Sequence, residues 1–240
     1  MSQRRRSEIS PSPLRLSTVA LVGLLLAAGC GSRTYETDAR KILDEAKATV
    51  DRSDTLHFHI TSDGAGGVPT YLVGGDGDAK RPDGFTGTLN VVALGLPFSI
   101  GIVSTGGVFY VRLPFTTTFR PAHPSDYGFA DPAGLIDREH GVTSLLADPM
   151  SATLADRERI EGVEVYEIDI TVSGDQVKAL LADVMPETPV KGRVAVDVDS
   201  HRVVRVVLTA PFTSERLSTY TLSLSNYGET VSISPPAPPG

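Results

Sequence analysis

The 240-residue chain predicts an α+β domain made mainly of antiparallel strands, on three observations. Hydrophobic residues alternate with a period of two through most of residues 55–226, the signature of half-buried strands. Gly (23) and Pro (17) are abundant, aromatics make up 6% and Trp is absent, which favours turns over long helical bundles. Three stretches carry a helical period, and the strands follow one another too closely to need crossover helices.

Taken in order, Ile42, Ala46 and Val50 fall four apart, with Arg40, Lys41 and Lys47 between, predicting an amphipathic helix from Asp38 to about Asp51. Leu56, Phe58 and Ile60 then alternate with His57, His59 and Thr61 as a strand. After a Gly-rich turn, Tyr71 and Val73 open a second strand that runs to Lys80, and Arg81-Pro82-Asp83-Gly84 supplies turn chemistry. Strands follow at Phe85–Ala93, around Leu96–Ile102 and at Val108–Leu113. Residues 114–132 hold four prolines and little periodicity, so a long surface loop is expected there. Asp131-Pro132 reads as a helix N-cap and first residue, and Leu135, Ile136, Val142, Leu145 and Leu146 as two short helical turns broken near Gly141. Ser151–Glu161 and Val163–Val172 return to strand. Ser173 with Gln176 forms a capping box before a helix through Val177, Leu180, Leu181 and Val184, ended by Pro186. Strands at 190–198, 202–210 and 217–226 follow, with a last short one around Val231 and Ile233, making roughly ten in all. No break in composition divides residues 38–234, hence one domain, and the Pro-rich tail 235–240 should be extended.

The N-terminus has a separate purpose. Arg4, Arg5, Arg6 and Arg15 precede an uncharged run from Leu16 to Ala28, too short to span a bilayer as a helix, so residues 1–29 read as a signal peptide. Leu26-Ala27-Ala28-Gly29-Cys30 places small residues directly before the chain's one cysteine, as in a bacterial lipobox, which makes Cys30 the predicted lipidation site and 30–37 a short lipidated tether. Acyl chains there would anchor the exported protein to the outer face of the plasma membrane. Residues 1–29 carry a net +3, leaving −10 on the remainder; this acidic body argues against a nucleic-acid partner.

Catalytic chemistry is hard to find. G-x-S-x-G, H-E-x-x-H, phosphate loops and G-x-G-x-x-G are all missing, and no catalytic residue, cofactor or metal is assigned. His57 and His59 share a strand face without an obvious third ligand, so they read as solvated histidines rather than zinc ligands. Asp76, Asp78 and Asp83 suggest a calcium loop, but Gly87 stands where the bidentate Glu is needed, so a solvated turn is preferred.

Apolar surface remains. A long sheet with few helical residues to cover it leaves either a packed core or a cavity, and small residues such as Gly87, Ala93, Gly101 and Gly107 weaken filling. Strand candidates for the cavity wall are Phe58, Ile60, Leu89, Val91, Phe98, Ile100, Phe109 and Val111. The cover would contribute Leu135, Ile136, Leu145, Leu146, Leu180 and Leu181.

The order of Cys30, a helix, Thr55-Leu56-His57-Phe58, Asp131-Pro132-Ala133-Gly134-Leu135-Ile136 with Gly141 and Leu145-Leu146, Val172-Ser173-Gly174-Asp175-Gln176-Val177, and Leu224-Ser225-Asn226-Tyr227-Gly228 before Pro235 resembles the LppX/LprAFG family of mycobacterial lipoproteins. The likeness covers nearly all of residues 30–235. It implies a curved antiparallel half-barrel, helices over its concave face and a large apolar cavity between. It also implies a carrier for the acyl chains of di- or triacylated envelope lipids, glycolipids or lipoglycans, moving them from the plasma membrane toward the outer envelope, in some members beside a major-facilitator-type exporter. The competing expectation is a non-transporting envelope lipoprotein that acts as a scaffold or accessory subunit.

Overall fold

The structure, a computed structural model, describes residues 31–178, 180–181, 188–212 and 216–237, with side chains from Asp38 onward. The signal peptide, Cys30, Val184 and Pro186 lie outside the described residues. Eleven strands form one antiparallel sheet: β1 (Thr55–Asp63), β2 (Thr70–Lys80), β3 (Gly84–Ala93), β4 (Leu96–Thr105), β5 (Val108–Arg112), β6 (Arg120–Pro121), β7 (Ser151–Ile160), β8 (Val163–Val172), β9 (Val190–Asp197), β10 (Val203–Ala210) and β11 (Ser218–Ser225). Their order is β6-β5-β4-β3-β2-β1-β11-β10-β9-β8-β7. The sheet is therefore two meanders joined where β1 pairs with β11, from His57↔Ser225 to Asp63↔Thr219. It is not closed, because β6 and β7 remain as edges.

The sheet curves strongly. Leu89 on β3 and Leu208 on β10 are four strand spacings apart, about 19 Å on a flat sheet, yet both line one small cavity. Register shifts at Leu72/Gly74, Leu154/Asp156 and Val203/Arg205 mark bulges, which increase local bending.

Helices cover the concave face. Helix α1 (Gly31–Arg52) begins seven residues before the predicted Asp38, so the expected extended tether is helical from Gly31 onward. Its Ala39, Leu43, Ala46 and Val50 are fully buried. The Arg81 guanidinium donates to the carbonyls of Ser53 (3.0 Å) and Ile136, tying the end of α1 to the cover. Where a featureless loop was expected there is a 3₁₀ turn at Pro124–Tyr127 and the two-residue β6. Asp131 caps the next 3₁₀ turn (Pro132–Ile136): its carboxylate accepts from Ala133 N (3.0 Å) and from the buried Ser104 hydroxyl of β4 (2.7 Å). Helix α2 (Ser144–Ala147) follows, and α3 (Gly174–Lys178) opens with the expected capping box, Ser173 Oγ accepting from Gln176 N at 3.3 Å. Gln176 Nε2 then reaches the Ser144 carbonyl at 3.0 Å, joining α3 to α2.

Val231 and Ile233 form no strand. Both sides of β11 are already paired, so no edge is free at that place. The segment instead crosses the start of β1, where Thr55 Oγ1 donates to Glu229 O (2.6 Å) and Lys80 Nζ to Val231 O (2.9 Å). Among the described residues the buried core cluster runs from Ala39 to Leu224, so the domain from Gly31 onward carries a core of its own, as an independently folding unit requires.

Candidate functional site

Between the sheet and its cover lies an apolar cavity of about 60 Å³. Phe58 and Ile60 (β1), Leu72 (β2), Leu89 (β3), Val206 and Leu208 (β10), and Tyr220 and Leu222 (β11) form its floor. Phe129, Ala130, Pro132, Leu135, Leu145, Leu180 and Leu181 form its roof. Tyr220 supplies the lining's one polar side chain, and its hydroxyl is already engaged, donating to the Leu72 carbonyl at 3.3 Å. The described lining is thus mostly apolar and favours a hydrocarbon ligand.

Of the expected lining residues, Phe58, Ile60, Leu89, Leu135, Leu145, Leu180 and Leu181 meet at this cavity. Val91, Phe98, Ile100, Val111, Ile136 and Leu146 do not line it; all but the half-buried Phe98 are packed in the core. Phe109 faces a separate cleft. Sequence reading missed Leu72, Phe129, Val206, Leu208, Tyr220 and Leu222. The alternation on β10 and β11 signalled four of these, whereas Phe129 sits in a stretch without periodicity.

The cavity is also smaller than expected. An apolar cavity that accepts benzene measures about 150 Å³. Of the small residues that suggested voids, two are covered by neighbours: a Cβ at Gly87 would meet the Phe85 ring at 2.9 Å, as one at Gly77 would at 2.7 Å, and one at Gly101 the Arg112 guanidinium at 3.2 Å, whereas a Cβ at Gly107 would meet nothing within 4 Å. Phe85 in turn packs on Phe58, with ring centroids 5.0 Å apart.

Beside the cavity, a larger cleft of about 710 Å³ runs along the β5–β6 edge, lined by Phe109, Arg120, His123, Asp126, Tyr127 and Asp131 among others. Phe129 stands between the two spaces. It lines the cavity, and its ring lies 6.0 Å from Phe109 and 6.2 Å from Tyr127, both in the cleft wall. One aromatic ring thus separates hydrocarbon space from a mixed-charge groove.

An open curved sheet roofed by short helices over an apolar cavity matches known proteins in sequence and in fold. The sequence profile of the LppX_LprAFG lipoproteins matches residues 38–233. The chain belongs to the LppX/LprAFG lipoprotein family. Among its relatives, the lipoarabinomannan carrier protein LprG of Mycolicibacterium smegmatis is 26% identical over 234 residues, covering 92% of this chain and 95% of that one. LprG of Mycobacterium tuberculosis is 24% identical over 235 residues, with 92% and 95% covered. The crystal structure of LprF from Mycobacterium bovis superposes with a TM-score of 0.73 at 17% identity, covering 87% of this chain and 100% of that one. LppX from M. tuberculosis gives 0.60 at 15%, with 83% and 100% covered.

In this LppX/LprAFG member, the two strand histidines stand on the sheet's outer face. The register sets His57 opposite Asp78 and His59 opposite Asp76. His57 Nδ1 is 2.8 Å from Asp78 Oδ1, while His57 Nε2 and His59 Nδ1 each lie 3.3 Å from Asp76 Oδ2. Among the described residues no three His, Cys, Asp or Glu side chains are placed to hold a metal ion. Burial lowers the His57 pKa, but the bond to Asp78 and the charges of Asp76 and Asp78 outweigh it, so the net shift is upward from 6.5. The stabilisation by protonated His57 is complete below the unfolded value and is lost as pH rises through the higher folded value. Thermal melts of wild type should therefore show a decline in stability above about pH 6.5 that His57→Gln removes; an unchanged slope in the variant would contradict this pairing.

Proposed function

We propose that the protein is a membrane-anchored lipid carrier whose cavity takes the acyl chains of a di- or triacylated envelope lipid or lipoglycan. The observation that carries this reading is the cavity wall, whose described side chains are apolar except for Tyr220, with its hydroxyl bonded to the Leu72 carbonyl. The names of its LprG relatives support the same class of cargo. Each methylene taken from water contributes about 0.8 kcal/mol, so acyl chains need no polar contact inside. The headgroup stays outside, and the cleft beyond Phe129, with Arg120, His123, Asp126 and Asp131, is the polar surface next to it.

At about 60 Å³ the cavity is too small for an acyl chain as it stands. Loading requires the roof to lift and Phe129 to turn aside, so residues 114–149 act as the gate. Its fixed points are Asp131 on Ser104 and Arg81 on the Ile136 carbonyl. Cys30, acylated after removal of residues 1–29, anchors the carrier at the outer face of the plasma membrane, where a major-facilitator-type exporter would supply or accept cargo.

Native mass spectrometry with lipid extraction tests this. The chain from Gly31 onward, made in a mycolate-containing host, should carry acyl lipid near one per protein. The paired change Leu208→Phe and Leu222→Phe fills the cavity and should remove it, while circular dichroism reports an intact fold. The small volume favours one competitor, a non-transporting envelope scaffold. A lipid-free mass that acquires nothing from envelope extract would select that reading.

A further inference from the structure

The register of the sheet brings the most exposed large apolar side chains to one end. Asp63 pairs with Thr219, Thr70 with Ala93, Ala93 with Leu96, Ala210 with Ser218 and Ser151 with Thr171. The β3–β4 tip, the β1–β2 and β10–β11 connections and the start of β7 therefore share an end, and the segment following β5 runs toward it, since Arg112 pairs with Gly101 in mid-β4. Leu94 (86% exposed), Leu96 (70%), Met150, Leu217 and the fully exposed Phe115 all stand there. Among the described residues, the large apolar side chains exposed at the opposite end are Val108 and Val163, each just over a third.

Three further observations bear on what meets this end. First, residues 84–119 contain one charged side chain, Arg112, in a chain that is 21% charged, so the wing carrying Leu94, Leu96 and Phe115 lacks the acidity of the rest. Second, Leu94 (φ 51°) and Phe115 (φ 64°) both occupy left-handed backbone, where bulky side chains are outliers and Gly or Asn is usual. Two large apolar groups are held outward at positions where the fold would prefer neither. Third, α1 runs from Glu45, whose carboxylate meets His201 at the opposite end, to Arg40, which donates to the Pro149 carbonyl beside Met150. The N-terminal part of α1 thus points toward the same end.

We propose that this end of the half-barrel docks on a phospholipid bilayer, with Leu94, Leu96 and Phe115 entering the interface. Separate apolar tips on a wing whose one charge is the cationic Arg112 suit insertion among lipid headgroups, and they let an otherwise acidic body approach an anionic surface without repulsion there. The cavity reaches toward this end, where Leu72, Leu208 and Tyr220 are each two residues from their strand's end, and extends inward to Leu89 and Phe58. A lipid drawn upward from the bilayer would bring its chains in behind its headgroup. The docking surface itself holds whatever the cavity carries.

The test is co-sedimentation of the unacylated chain from Gly31 onward with vesicles of phosphatidylcholine, and of equal parts phosphatidylcholine and phosphatidylglycerol. Wild type should bind both. Leu94→Asn, Leu96→Thr and Phe115→Asn combined should lower the partition coefficient by about tenfold or more, and Val163→Thr should leave it unchanged. Asn tolerates left-handed backbone, so the triple variant should melt no lower than wild type. Absence of wild-type binding to both vesicles, as expected of a surface for a protein partner, would overturn the proposal, as would full binding by the triple variant.

Discussion

Replacing Phe58 by Ala is expected to lower stability by about 4 kcal/mol, read as a fall of about 12 °C in melting temperature. Phe58 is 1% exposed, stacks on Phe85 and sits on β1, the strand through which the two meanders are joined. Its loss removes buried ring surface and leaves Phe85, which already presses on Gly77 and Gly87, without its partner. Because Phe58 also lines the apolar cavity, the space it vacates merges with that cavity and stays dry. Stability and cargo should therefore separate: the variant melts early yet still co-purifies with acyl lipid. A loss under about 1 kcal/mol, below the range for a packed aromatic, would mean that the floor of the cavity is loosely packed.

That outcome would also measure how far sequence alone can locate a cavity. The strands were legible because one face of the sheet is buried: Tyr166, Ile168 and Ile170 alternate with Glu167 and Asp169, and β8 lies where that pattern puts it. Local chemistry was legible too, since Ser173 with Gln176 and Asp131 with Ala133 are bonds between near neighbours. Which buried residues face a void was not legible. Alternation distinguishes the inner face from the outer one, but Ile100 and Leu89, paired across β3 and β4, share a face and only Leu89 reaches the cavity. The choice depends on curvature, which the bulges at Leu72/Gly74 and Val203/Arg205 help to set over long range. Phe129 depends on the roof, whose path follows from Arg81 and Ser104, far away in sequence.

The outer face holds the second large effect. Arg205→Met is expected to cost about 3 kcal/mol at neutral pH, as when one partner of a buried ion pair is removed. Glu167 is 2% exposed although it points away from the cavity, because Arg193 on the adjacent β9 and Arg205 on β10 beyond it close over it. Arg205 Nη2 donates to Glu167 Oε1 at 2.9 Å, whereas Oε2 has no hydrogen-bond partner and Arg193 Nε stays 4.0 Å away. Burial pushes the Glu167 carboxyl up, the Arg205 charge and bond pull it down, and the net shift is upward from 4.5. The sign follows: a carboxyl whose folded pKa is raised carries no penalty below its unfolded value and a full one above its folded value. Without Arg205 the upward shift grows, so the variant's deficit should be deepest at neutral pH and shrink on acidification. Glu167→Gln in the same background removes the charge and should recover most of the loss. Thermal melts of both variants across acid and neutral pH check this, and a deficit in Arg205→Met that acid does not reduce would place its cause in lost packing of the arginine stem rather than in the stranded carboxylate.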